Sequence, residues 1–331
     1  MRKLIVILSI STGFCVAVGY ISLNAYLNTT LEVSAHYEVK KGIYLKAALE
    51  QLAHRNILNR PMWLYAVARL KQQSSIRVGH YTITPKDTPL TLLDKLHRGR
   101  VNTETFTLAE GMNRWQVKNL LEKDAWISPE DFDALCDNQE YLTSHQIPGP
   151  TCEGYLFPET YTFARGVSGK KLLGAMFKLY RKHFLEATGS GNGPMALGEQ
   201  ELMTLASIIE KETGDASERP RIACLFYNRL KAKPPWRLQT DPTVIYAATL
   251  HNPNFDGNIR RYHLHEMEHP YNTYKRFGLP PGPIANPGRE AMEAVVHPSE
   301  CSDFFFVSMN NGRHVFCPTL DCHNKAVQKW Q

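Results

Sequence analysis

Residues 202–214 place the strongest single constraint on the fold, because they predict one amphipathic helix with a defined end. The apolar side chains recur at the i, i+3, i+4, i+7 spacing of a buried helical face: Leu202, Leu205, Ala206 and Ile209. Gly214 lies where a C-terminal capping glycine is favoured. A core helix ending near Gly214 is therefore expected.

Glu210 falls in the last turn of this predicted helix, beside the apolar face. The negative end of the helix dipole and burial next to Ile209 both disfavour a charged carboxylate at that position. A carboxyl group that keeps its proton near neutral pH can act as a general acid. From the helix alone, a solvated glutamate is the simpler interpretation. Glu212 is expected to point elsewhere, so the two do not form an obvious catalytic pair.

An uncharged, largely apolar run over residues 4–23 follows Arg2 and Lys3. Its length of about 20 residues is what a membrane-spanning helix needs, and cations on its N-terminal side predict a cytoplasmic N-terminus. A cleaved signal peptide is the alternative, but its apolar core is usually only ~7–15 residues long. We therefore expect an uncleaved anchor over residues 1–27, with the rest of the chain outside the cytosol.

The remaining composition argues against several classes of ligand. The net charge of +6 is mild and suits an anionic membrane surface or polymer, whereas no dense Lys/Arg run indicates nucleic acid. Neither GxGxxG nor a phosphate-binding loop is present, so no nucleotide cofactor is expected. His263, His265 and His269 lack an HExxH frame, so no metal is expected either.

Six cysteines follow the apolar run, and an oxidising compartment would allow them to pair: Cys136, Cys152, Cys224, Cys301, Cys317 and Cys322. Many connectivities are open to six cysteines. Local bridges between Cys136 and Cys152 and between Cys317 and Cys322 are favoured by proximity, with isolated buried thiols as the alternative.

The pattern of apolar residues predicts an α+β protein with two parts after the anchor. Residues 28–100 read as strand, helix, helix and strand, with strands near residues 36–40 and 78–84, and a further helix from Thr88 to Gly99. Residues 101–331 form a larger mixed α+β domain, which includes a hairpin turning at Asn310–Gly312.

The loops that follow Glu210 are rich in Tyr, Asn, Gln and Thr, a composition that suits glycans. Most glycosidases use two carboxylates, about 5–5.5 Å or about 6.5–9.5 Å apart. Here only Glu210 lies in a sequence context that favours a catalytic carboxyl group. A single acid/base fits a reaction in which the substrate supplies its own nucleophile. Muramic acid can do so through its 6-hydroxyl group, giving a 1,6-anhydro product.

Seven stretches carry a resemblance to a known family: FTLAEGM (106–112), EGYLFPET (153–160), LASIIEKET (205–213), LQTDPTVIY (238–246), YNTY (271–274), GLPPGPIANPG (278–288) and HNKAVQ (323–328). In this order they resemble the MltG/YceG-like endolytic murein transglycosylases. The resemblance implies that Glu210 is catalytic and that residues 28–100 form a LysM-like module. It also implies that the enzyme cuts nascent peptidoglycan strands, ends glycan polymerisation and has peptidoglycan synthases as partners.

On this basis Glu210 is expected to protonate the glycosidic oxygen and then to deprotonate the 6-hydroxyl group. Six polar residues are candidates for binding the sugar or stabilising its charge: Gln239, Asn272, Glu153, Tyr274, Glu218 and Asp241. The last two also have a structural explanation at helix starts. The alternatives are a lysozyme-like muramidase that uses Asp241 or Glu218 as a second carboxylate, and a wall-binding scaffold without activity.

Overall fold

The computed structural model describes residues 17–99, 103–189 and 193–331. Most of the expected membrane-spanning run over residues 4–23 lies outside this part of the chain, although residues 17–28 are helical. Within the described residues, no helix is both long enough and apolar enough to cross a membrane. The described chain divides into two compact units, one running to Thr105 and including Thr162–Val167, the other formed by Phe106–Tyr161 and Ser168–Gln331.

The first unit has the predicted order of elements: β1 (Ala35–Val39), α1 (Leu45–His54), α2 (Pro61–Leu70), β2 (Gly79–Ile83) and α3 (Pro89–Arg98). β1 and β2 pair in antiparallel fashion, with Tyr37 opposite Tyr81, and both tyrosines are buried in the core. Thr88 caps α3 by accepting from the backbone N–H of Thr91, and Gly99 ends the helix with a φ of 71°. The left-handed conformation explains the glycine at that position.

β3 (Thr103–Thr107) and β4 (Thr160–Ala164) pair in a second two-stranded sheet. The second unit is mainly helical, with α4 (Arg114–Lys123), α5 (Pro129–Cys136), α6 (Gln139–Ser144), α7 (Gly169–Thr188), α8 (Glu199–Glu212), α9 (Arg219–Lys231), α10 (Asp241–His251), α11 (Arg261–His265), α12 (Arg289–Val296) and α13 (Leu320–Trp330). The predicted hairpin is present as β5 (Phe305–Ser308) and β6 (His314–Cys317).

α8 is the central helix of the second unit and packs against α9, α10 and α12. All of its residues from Leu202 to Ile209 are buried, so the helix is enclosed on more sides than the predicted single apolar face. Two small polar residues make this enclosure possible because their hydroxyl groups have internal partners. Thr204 donates to the carbonyl of Gln200 at 2.7 Å, and Ser207 accepts from the N–H of Ile284 at 3.0 Å.

The predicted glycine cap of α8 is wrong. The helix ends at Glu212, and Thr213 is extended, with φ −143° and ψ 139°. Gly214 is not among the residues with a positive φ. Thr213 turns the chain instead, because its hydroxyl oxygen accepts from the N–H of Asp215 at 3.0 Å.

Three disulfides tie the second unit together. Cys136–Cys152 and Cys317–Cys322 are the two local bridges favoured by the sequence. The third, Cys224–Cys301, joins α9 to the segment before β5 across 77 residues of sequence. The alternative of isolated thiols is therefore wrong for these six cysteines.

Candidate active site

Glu210 lies in the last turn of α8 with only 6% of its side chain exposed. Its two carboxyl oxygens have separate donors. Oε1 accepts from Nη2 of Arg219 at 2.9 Å, and Oε2 accepts from the backbone N–H of Gly288 at 3.0 Å. The carboxyl group is therefore held in one orientation by two different segments of the chain.

Opposing influences act on the pKa of Glu210. Burial is the largest and raises the pKa, while the Gly288 N–H and the Arg219 guanidinium lower it by stabilising the carboxylate. The carboxylates of Glu110 and Glu290 raise it further by repulsion. The net result is a raised pKa, in the direction predicted from the sequence, which favours the protonated form that a general acid requires.

Arg219, at the start of α9, is itself buried and contacts three carboxylates. Besides Glu210, it contacts Glu110 through Nη2 at 3.5 Å and Glu290 through Nη1 at 3.0 Å. Neither Arg219 nor Glu110 is among the site residues predicted from the sequence. The only sequence signal for Glu110 was its position inside the FTLAEGM stretch.

Gly288 has a steric reason to be glycine. A Cβ atom there would lie 1.8 Å from Oε1 of Glu110, so any side chain would displace that carboxylate. The backbone N–H of the same residue is the donor to Glu210. Gly288 therefore allows two acidic side chains to approach one point of the backbone.

Asn286 holds the site's segments together from the buried interior. Its Oδ1 accepts from the N–H of Leu156 at 2.9 Å, and its Nδ2 donates to the carbonyl of Met112 at 2.8 Å. Two backbone hydrogen bonds also join Asn286 to Gly111 and Met112. Three of the stretches that carried the family resemblance, around residues 106–112, 153–160 and 278–288, thus meet at one amide side chain.

Glu212 faces a second polar cluster, away from Arg219. The pKa of Glu212 is raised to about 8, mainly by burial and also by the nearby carboxylate of Asp241, while Thr240 and Arg229 oppose the shift. Arg229 is buried and donates to the carbonyl groups of Phe304 and Leu238. The expectation that Glu210 and Glu212 point in different directions agrees with these partners.

Asp241 does not cap its helix, contrary to the structural explanation predicted for it. Thr240 occupies the capping position of α10, and Asp241 is the first helical residue. Its Oδ1 instead accepts from the hydroxyl group of Tyr274 at 2.6 Å. The contact explains why a carboxylate and a tyrosine from the LQTDPTVIY and YNTY stretches occur together.

Gln239, just before this pair, is an exposed residue with a φ of 51°. Its backbone N–H donates to the carbonyl of Thr273 at 3.2 Å. Gln239 shares this left-handed conformation with other non-glycine residues, among them Gln72 and Gln146, so the conformation alone does not set it apart.

Two of the predicted sugar-binding residues, Asn272 and Glu153, are buried and hydrogen-bonded inside the protein. Asn272 is fully buried; its Nδ2 donates to the carbonyl groups of His263, Leu264 and Met267, and its Oδ1 accepts from the N–H of Tyr274. The geometry gives Asn272 the role of holding this loop.

Glu153 is likewise buried and accepts from the N–H of Arg114 at the start of α4. It also accepts from the hydroxyl group of Tyr246 at 3.1 Å. Burial raises the pKa of Glu153 to about 7. Helix capping accounts for its position.

Glu218 binds β6 rather than standing free beside Glu210. Its Oε1 accepts from the N–H of His314 at 2.9 Å, and Oε2 lies 2.8 Å from Nδ1 of the same histidine. Within the described parts of the chain, no three His, Cys, Asp or Glu side chains converge as metal ligands. His263 and His269 accept instead from the N–H groups of Arg260 and Tyr271.

Glu210 is thus a buried carboxyl group with a raised pKa, held in place by fixed donors, which is a setting typical of acid/base sites. Residues 37–329 match the model of the YceG-like family. The chain therefore belongs to the YceG-like family.

Individual relatives agree with this assignment. A Bacillus subtilis protein named endolytic murein transglycosylase is 30% identical over 315 residues, covering 90% of this chain and 85% of the relative. A Streptococcus pneumoniae protein of the same name is 24% identical, and the match covers 93% of this chain but only 62% of that longer protein. The crystal structure of a yceG-like protein from Listeria monocytogenes has a TM-score of 0.55 at 27% identity, covering 89% of this chain and 99% of the other.

Proposed function

We propose that this protein is a peptidoglycan lytic transglycosylase that cuts glycan strands internally and leaves 1,6-anhydro-N-acetylmuramic acid ends. The observation that carries the proposal is the setting of Glu210, a carboxyl group with 6% exposure, two fixed donors and a raised pKa. Relatives that align over most of the chain are named for this activity.

The reaction needs one group that gives and then takes a proton. The proton of Glu210 passes to the glycosidic oxygen as the bond from that oxygen to C1 of the muramic acid breaks. The 6-hydroxyl oxygen then bonds to C1, and its proton passes to the Glu210 carboxylate. No water is consumed, and Glu210 ends the cycle protonated.

Between these two steps Glu210 is an anion in a buried position. The Arg219 guanidinium and the Gly288 N–H then stabilise it, because both donate to its oxygens. Gln239, Asp241 and Tyr274 are the proposed sugar-binding residues. Gln239 and Asp241 are exposed, and Tyr274 is hydrogen-bonded to Asp241.

The setting in the cell is part of the same proposal. The cations before the apolar run of residues 4–23 support an anchor in the inner membrane and a periplasmic catalytic domain. The strand–helix–helix–strand order over residues 35–83 supports a LysM-like module that positions the glycan. Ending the growth of nascent strands, next to peptidoglycan synthases, is the proposed role.

Mass spectrometry of sacculi digested by the purified protein tests the reaction. Fragments that end in 1,6-anhydro-N-acetylmuramic acid are the expected result. Reducing muramic acid ends would identify a lysozyme-like hydrolase instead. Binding to sacculi without any shortening of the strands would identify a wall-binding scaffold.

A further inference from the structure

The Arg219 guanidinium contacts one buried carboxylate, that of Glu210, and two solvent-exposed ones, those of Glu110 and Glu290. The Arg219 and Glu210 side chains are only 5% and 6% exposed, whereas those of Glu110 and Glu290 are 44% and 60% exposed. The three acids come from three separate segments: the end of α8, the turn after β3 and the first turn of α12. One guanidinium therefore serves three carboxylates, and only one of them is the proposed catalytic group.

This arrangement bears on a conflict in the proposed reaction. A neighbouring guanidinium favours the ionised form of Glu210, yet the first step needs the protonated form. The second step needs the ionised form, so Arg219 helps one half of the cycle and opposes the other. Carboxylates that bind the same guanidinium can offset that opposition.

Glu110 is the better placed of the two flanking acids. Its Oε2 and Oε1 of Glu210 contact the same Nη2 atom, at 3.5 and 2.9 Å.

We propose that Glu110 and Glu290 are positioning residues that bind the Arg219 guanidinium and offset its positive charge while Glu210 is protonated. Once Glu210 has given up its proton, Arg219 stabilises the Glu210 carboxylate. The proposal rests on the proposed acid/base role of Glu210. Lys211, which follows Glu210 in α8, is a further charged residue here, and its Nζ donates to the carbonyl of Gly111 at 3.2 Å.

The pH dependence of strand cleavage tests this assignment, with kcat/KM measured on defined glycan strands. The alkaline limb of the wild-type profile reports the loss of the Glu210 proton. Glu110→Gln and Glu290→Gln each remove a negative charge beside Arg219. The Arg219 guanidinium then favours the ionised form of Glu210 more strongly, which lowers the pKa of Glu210. Both should move the alkaline limb to lower pH, by about one unit or less. Arg219→Gln should move it to higher pH.

A matched control lies on the same helix as Glu290. Glu293 pairs with Arg289 at 2.7 Å on the surface of α12. Glu293→Gln removes an equal charge without touching Arg219 and should leave the profile unchanged. Because Arg219 is buried, Arg219→Lys serves as the second variant if Arg219→Gln does not fold, and its shift should be smaller.

Alkaline limbs that stay at the wild-type pH in both Glu110→Gln and Glu290→Gln would overturn the proposal, as would an equal loss of activity at every pH. The end groups of the products are read in the same reactions. Anhydro ends without shifted profiles refute only the positioning role, whereas shifted profiles with reducing ends refute only the transglycosylase reaction.

Discussion

Glu210 and Glu212 leave the last turn of α8 toward different partners, Glu210 toward Arg219 and Glu212 toward the cluster around Asp241. Both carboxyl groups have a raised pKa because burial disfavours their charged forms. Only Glu210 has hydrogen-bond donors on both oxygens. Oε1 of Glu212 is buried and has no hydrogen-bond partner among the described residues.

Glu210→Gln should abolish strand cleavage with little effect on folding. Glutamine keeps the shape of the side chain but cannot deliver or accept the proton, a role typically worth about 10²–10⁴-fold in rate. Release of muropeptide-linked strands from sacculi measures the loss, and circular dichroism checks the fold.

Glu212→Gln is the matched control on the same helix. Because the pKa of Glu212 is about 8, this side chain is mostly protonated at neutral pH, and glutamine reproduces its neutral form. The variant should cleave strands at close to the wild-type rate near pH 7. Loss of cleavage in Glu212→Gln together with normal cleavage in Glu210→Gln would contradict the assignment of the catalytic residue.

Glu212 should also make the free energy of unfolding depend on pH. Its pKa is about 8 in the folded protein against an ordinary value of 4.5, so the folded state binds the proton more tightly. The resulting stabilisation is fully present below about pH 4.5 and is lost as the pH rises through about 8. Glu212→Gln should be more stable than wild type at pH 9, by about 1–3 kcal/mol.

Urea unfolding at pH 6 and pH 9 measures this difference. Glu293→Gln, at an exposed ion pair, is the control and should follow the wild-type pH dependence. A difference between Glu212→Gln and wild type that is the same at both pH values would show that the carboxyl group does not titrate in this range.

Gly288→Ala should impair catalysis more than stability. The added Cβ would lie 1.8 Å from Oε1 of Glu110, so that carboxylate must move from its place beside Arg219. On the positioning role proposed for Glu110, the alkaline limb of kcat/KM should then move to lower pH, as in Glu110→Gln. Steady-state kinetics on glycan strands across the pH range measure this shift.

Gly214→Ala is the comparison for Gly288→Ala. Gly214 also lies near the end of α8, but a Cβ there would meet no described atom within 4 Å, and its φ is not positive. We expect wild-type kinetics from it. Equal effects of the two substitutions would mean that the approach of Glu110 to Gly288 does not matter.

Removing the Cys224–Cys301 disulfide should cost more stability than removing Cys317–Cys322. The first closes 77 residues of sequence and the second only 5, and a longer loop loses more chain entropy in the unfolded state. The Cys224→Ser/Cys301→Ser double variant should lose about 2–4 kcal/mol of unfolding free energy. Thermal and urea unfolding of both double variants give the ranking.

Local sequence patterns were sufficient for much of the secondary structure. The strand–helix–helix–strand order of the first unit, the β5–β6 hairpin and the helix bearing Glu210 follow from signals within a few residues, and the two local disulfides join cysteines 16 and 5 residues apart. Such signals depend on periodicity, turn chemistry and proximity along the chain, so they are present before any tertiary contact forms.

Only the tertiary structure decided which side chains meet. Arg219 reaches Glu110 across 109 residues of sequence, Gly288 reaches Glu210 across 78, and Asp241 is paired with Tyr274 instead of capping α10. No periodic pattern encodes these contacts, because they depend on how α8, α9 and α12 pack and on where the intervening loops return. The sequence by itself therefore determined the helix and the position of Glu210 on it, whereas packing determined which charges act on its carboxyl group.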